Sequence, residues 1–108
     1  MTEMEKIQAL LEKTADTPDA QAVGEAANAL VENIKSLVSA MPAFLLRGEK
    51  PTFNADGARD ALAVLNRCGA AWGISFTDAQ EEKALFVYLM RFARELLFQD
   101  RPSRTDDE

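Results

Sequence analysis

Ala20, Val23, Ala27, Leu30, Ile34, Leu37 and Met41 follow one another at spacings of 3, 4, 3, 4, 3 and 4 residues. This is the period of a helix that lays one narrow apolar seam against another helix. A strand, whose side chains alternate with period two, cannot present such a set on one face. The seam therefore demands a partner helix, supplied either by the same chain as a hairpin or by a second copy as a coiled coil. With 108 residues the chain is long enough for one domain of ordinary size, and the hairpin is the simpler solution. The seam starts small, with Gly24 beside Ala20 and Ala27, and ends large. That gradient predicts a close helix approach near Val23 and a thicker core near Ile34. Thr17 as N-cap, Pro18 at the first helical position and Asp19 at the positive end of the dipole mark its start. Pro42 should end or kink it, because the ring clashes with the carbonyl four residues back. The expected helix is 18–41.

Three further helices surround this one. Thr2 and Glu5 form a capping box, and Met4, Ile7, Leu10 and Leu11 make one stripe, predicting a helix over 3–14. Asn54 is an N-cap, and Ala58, Ala61, Leu62, Leu65, Cys68 and Trp72 share a side, predicting a helix over 55–70 that Gly69 and Gly73 close. Thr77 and Gln80 read as a second capping box, opening a helix over 78–99. That last helix carries two apolar stripes, one of Leu85, Tyr88, Leu89, Phe92 and Leu96 and one of Phe86, Met90, Ala93 and Leu97. A helix apolar on two sides sits in the middle of a bundle or gives one stripe to another molecule. The expected fold is all-α, a small four-helix bundle over 1–100 followed by a flexible acidic tail at 101–108. Between the second and third helices, residues 42–53 form a long connector bearing Phe44, Leu45, Leu46 and Phe53. Residues 44–46 form either one helical turn over the end of the core or a partner-contacting loop.

Composition excludes several chemistries. Histidine is absent and cysteine occurs once, which removes His-ligated zinc, Ser-His-Asp and Cys-His catalysis, His-containing di-iron sites and internal disulfides. Cys68 falls on the apolar side of its helix and reads as a buried small hydrophobe in a reducing compartment. Glu81 and Glu82 point about 100° apart on a helix and cannot easily share a proton or a metal. Asp56 and Asp60 share a face, with Arg59 expected to look elsewhere, and two carboxylates alone hold a cation weakly. No glycine-rich phosphate loop occurs. Arg91 and Arg94 come nearest to an anion site, but Arg91 is placed to pair with Glu95 four residues on. No cofactor is expected.

The net charge is −6, with −5 in residues 1–34, +2 in 35–104 and −3 in 105–108. Nucleic acid and anionic membranes are poor partners for such a field. The longest uncharged stretch is the eleven residues 36–46, short of the roughly 20 needed to span a bilayer, and with Glu3, Glu5 and Lys6 interrupting the start a signal peptide is not expected. A cytoplasmic location is expected. Two functions fit. In the first, a non-enzymatic interaction module (an adaptor, a chaperone-like subunit, or an inhibitor or immunity protein) forms a homodimer through Phe86, Met90 and Leu97 and meets a protein partner through Phe44, Leu45 and Leu46. In the second, a regulatory protein binds a small ligand in an interhelical pocket lined by Trp72, Tyr88 and Phe92, with Arg91 or Arg94 holding an anion.

Overall fold

A computed structural model describes residues 2–99, and for Phe98 and Gln99 the backbone alone. The expected tail, 101–108, lies outside the described residues. The fold is all-helical: α1 (Glu3–Thr14), α2 (Ala20–Arg47), α3 (Ala55–Gly69) with a 3₁₀ turn (Ala70–Trp72), and α4 (Glu82–Gln99). Helix α2 is the spine, packing most extensively on α3 and less on α4 and α1. Its seam is buried within the chain, with Val23, Leu30 and Leu37 fully enclosed and Ile34 nearly so. The hairpin solution therefore holds for the body of the seam. Leu10 of α1, Leu65 of α3 and Leu85, Leu89 and Phe92 of α4 complete one continuous core.

Helix α1 begins as the capping box requires. The Glu5 amide donates to Thr2 Oγ1 at 3.2 Å, and the Thr2 amide donates to Glu5 Oε1 at 2.8 Å. The second of these bonds holds the exposed Glu5 carboxyl below its ordinary range. The start of α2 differs by two residues from expectation. Thr17 accepts from the Asp19 amide at 3.2 Å but sits in a turn, its own hydroxyl donating to the Thr14 carbonyl, and the helix opens at Ala20.

The larger correction is at the other end, because α2 does not stop at Pro42 but runs six residues past the expected boundary to Arg47. Residues 44–46 are thus helical. The proline is exposed and lies beside half-exposed Val38, so the carbonyl it leaves unbonded is on the wet side of the helix. Ala43, Leu45, Leu46 and Arg47 are strong helix formers. Gly48 then closes the helix in the left-handed conformation (φ 69°), its amide donating to the Phe44 carbonyl.

Helix α4 starts at Glu82, four residues later than expected, and the second capping box does not form. Instead the segment before it is pinned open. Asn66 Oδ1 accepts the Phe76 amide at 2.6 Å, and Arg59 Nε donates to the Gln80 carbonyl at 2.7 Å. Phe76 and Ala79 are drawn into the core, which a helix starting at Asp78 would not achieve with the same anchors. Arg59 also reaches Asp56 at 2.6 Å, contrary to the expectation that it looks elsewhere. Asn33, buried on α2, serves the other connector: its Oδ1 accepts the Asn54 amide at 2.7 Å while its Nδ2 donates to the Ala29 carbonyl at 3.0 Å. Asn54 in turn caps α3 through the Gly57 amide.

By length and composition α2 is the one described helix that passes for a bilayer-crossing one. Its apolar seam belongs to the core, and Glu25, Glu32 and Lys35 line its exposed side. Gly24 does not mark a close approach, since a Cβ built there meets nothing within 4 Å. Gly69 does, because a Cβ would collide with the Ile74 carbonyl oxygen. Gly24→Ala should therefore raise stability to urea by about 0.5–1 kcal/mol, whereas Gly69→Ala should lower it by about 1–3 kcal/mol. A loss of stability in Gly24→Ala would mean that this face of α2 is covered.

Candidate functional site

The last turns of α2 and the second stripe of α4 run antiparallel and leave a furrow between them, open to solvent. Its first hollow, about 460 Å³, has Phe44, Pro51, Phe53 and Phe86 as walls and Lys50, Lys83 and Glu82 at the lip. Phe86 is held there by Phe53, ring centroids 6.4 Å apart. Lys50 Nζ stands 3.7 Å from Glu82 Oε2, with both side chains well exposed, so the pair adds little to stability. The second hollow, about 360 Å³, is lined by Val38 and Met41 of α2 and by Met90, Ala93, Arg94 and Leu97 of α4. Met41 and Phe44 are one turn apart, as are Phe86 and Met90, so the hollows are successive parts of one groove.

The sequence-derived interaction residues fall largely here. Phe86, Met90, Leu97 and Phe44 all line the furrow. Leu45 and Leu46 do not line it but project from the same helix end, 72% and 84% exposed. Of the α2 wall only Val38 was missed, together with the lysine lip. Phe44 continues the spacing of the seam beyond Met41, so its place on the same wall is legible once Pro42 is allowed inside the helix.

The ligand pocket expected from Trp72, Tyr88 and Phe92 does not form. Phe92 is fully buried and meets Tyr88 edge to face, centroids 6.2 Å apart. Tyr88 is buried too, and its hydroxyl donates to Glu3 Oε1 at 2.7 Å. Trp72 lies on the 3₁₀ turn, half-exposed, with Lys13 Nζ 5.5 Å from its ring centroid. Glu95 accepts the Glu3 amide at 2.9 Å and makes no ion pair with Arg91, which is exposed. Arg94 joins the furrow and not the tyrosine. Aromatic and cationic groups placed near one another by chain order are thus claimed separately, by the core and by α1.

Glu3 joins α1 to α4, its carboxylate holding Tyr88 through one oxygen and Lys6 through the other at 3.0 Å. Burial pushes the Tyr88 phenol well above its ordinary value, and the hydrogen bond to Glu3 raises it further. Cys68 is buried, as its position on α3 implied. Among the described residues no group of three or more acids or cysteines is placed to hold a metal ion. Comparison with known protein families, with curated proteins and with solved structures finds no match for the chain.

The raised phenol has a definite consequence for stability. A group whose folded pKa lies above its unfolded value near 10 contributes in full below that value and loses its contribution progressively as pH rises from there through the folded value. Because the chain has one tyrosine, tyrosinate absorbance reports Tyr88 alone. It should stay low in the folded protein above pH 10 and appear together with unfolding, and Tyr88→Phe should remove this alkaline sensitivity. Tyrosinate forming near pH 10 in protein that remains folded would contradict the buried bond to Glu3.

Proposed function

We propose that the chain is a non-enzymatic protein–protein interaction module whose contact surface is the α2–α4 furrow. The observation that carries this reading is apolar surface left open around one groove. Leu97, Phe44 and Val38 are 63%, 40% and 39% exposed at its walls, with Leu45 beside them at 72%. Single exposed apolar residues are ordinary, whereas a contiguous set beside a formed hollow is what partners cover. Burying one such side chain fully is worth about 1.5–3 kcal/mol, so several together supply enough to offset part of the cost of association. Polar chemistry is sparse in the furrow, and catalysis forms no part of the proposal.

Two occupants compete for the face: a second copy, as the α4 stripe suggests, and a helix of a different protein. Sedimentation over a range of concentrations tests the first. A dimer that Leu97→Glu and Met90→Glu return to monomer supports self-association, and a monomer in every case removes it. A photoreactive group at position 97 of the full chain tests the wider reading in cells. Cross-linked proteins lost on Met90→Glu support it; none above background, together with a monomer in sedimentation, contradicts it. Leu97 is largely exposed, so its substitution should leave the fold intact and separates lost contact from lost structure.

A further inference from the structure

Resting on the furrow as a contact surface, we propose that its occupant is a second copy of this chain, set face to face so that each copy's projecting leucines enter the other's hollows. Shape is the first support. The α2 wall stands out most at Leu45, 72% exposed, and least at Val38, 39% exposed. The α4 wall stands out most at Leu97, 63% exposed, and draws back at Phe86 and Met90, which pack partly against the core. Because the two helices run antiparallel, Leu45, next to Phe44, is level with Phe86, and Leu97 is level with Val38. Each wall therefore projects where the wall beside it recedes. A face that carries both projections and recesses can pair with itself about a two-fold axis, where every contact is made twice. One foreign helix laid in the furrow covers the inner sides of the walls and leaves the crests of Leu45 and Leu97 in water. A second copy brings two helices and covers both crests.

Area sets how firmly the copies hold. Half-exposed Val87 lies three residues before Met90, on the same side of α4. The exposed fractions of Val38, Phe44, Leu45, Val87 and Leu97 amount to about two and a half whole side chains. At roughly 100–150 Å² for each, the face offers about 250–400 Å² of apolar surface per copy. Homodimer faces are about 65% apolar, so the two copies together bury roughly 800–1,200 Å², below the standard of about 1,600 Å². That is the range of reversible pairs, and it places the dimer in micromolar exchange with monomer. Neighbouring charges are met within each copy: Lys50 by Glu82 at 3.7 Å, Arg47 by Glu49 at 3.2 Å, and Arg94 through an interaction of its own. Lys83, at the exposed lip, keeps its ammonium in water on a flexible stem. Each copy carries −6 overall, so the two repel at long range and added salt tightens the pair.

Sedimentation of the full chain from low micromolar to near-millimolar concentration, at low and high salt, reads the pairing. A reversible dimer with a micromolar constant is expected, no weaker at high salt. Leu45→Glu and Leu97→Glu, both at exposed positions, should each weaken it roughly tenfold or more, whereas Leu11→Glu on α1 should leave it unchanged. A nitroxide on Leu46→Cys then locates the joint, because the native Cys68 is buried and Leu46 stands beside the furrow without lining it. Nitroxide-bearing copies are mixed with isotope-labelled copies that carry none, so only contact between copies broadens the observed amide signals. Broadening centred on residues 38–45 and 86–97 is expected. Broadening centred on α1 or α3, or a dimer that salt loosens, overturns the pairing. A monomer at every concentration overturns the second copy as occupant. Foreign proteins cross-linked at position 97 would then still carry the contact-surface reading, and their absence would sink both.

Discussion

Helix α2 is longer than anything that can cover it. Its 28 residues span about 42 Å, whereas the 15 residues of α3 and the 18 of α4 span about 22 and 27 Å. Helix α3 starts level with Asn33, whose Oδ1 accepts the Asn54 amide, so the far end of α2 has α4 alone beside it. Val23, Leu30 and Leu37 are fully buried, Phe44 is 40% exposed and Leu45 72%. The same repeat that builds the core in one half of the helix becomes an open wall in the other. The furrow follows from this mismatch, because α4 supplies its second stripe as the facing wall and nothing in the described chain lies across the top.

Keeping α2 helical beyond Pro42 opposes a penalty of about 3 kcal/mol for a proline in a helix interior. Several features reduce or offset it. The proline is exposed, so the unbonded carbonyl of the preceding turn can be hydrated. The residues after it favour helix, and Gly48 offers the left-handed cap at no steric cost. Packing adds the rest: Phe44, Pro51 and Phe53 gather around Phe86, and Asn33 ties the connector down at Asn54. A chain that ended the helix at Met41 would lose the Phe44 wall. The helix extension and the first hollow are thus one structural feature.

Much of the architecture was legible because it rests on local periodicity. The heptad, the Thr2–Glu5 box, the Asn54 cap and the burial of Cys68 all follow from spacings within one element. What was not legible depends on residues distant in sequence. Thr77 and Gln80 have the composition of a helix start, yet Asn66 and Arg59, ten and more residues away, claim the backbone there. Asn33 is a polar residue within α2 whose spacing in that helix says nothing of its role as the anchor of a loop twenty-one residues on. The candidate site divides the same way. Phe86, Met90 and Leu97 were visible as a surplus stripe on α4, while Val38 and Lys50 joined them only through tertiary packing. Tyr88 and Trp72 misled because aromatic residues say little about which neighbour will claim them.

The furrow depends on α2 passing unbroken through Pro42 into a partly uncovered end. Backbone chemical shifts of residues 43–47, recorded on the dilute full chain with a soluble paramagnetic agent added, address this in one sample. Helical shifts up to Arg47, with the Leu45 and Leu46 methyl signals strongly broadened by the agent, are predicted. Coil-like shifts after Met41, or methyl signals there as sheltered as those of Leu30 and Leu37, would contradict it.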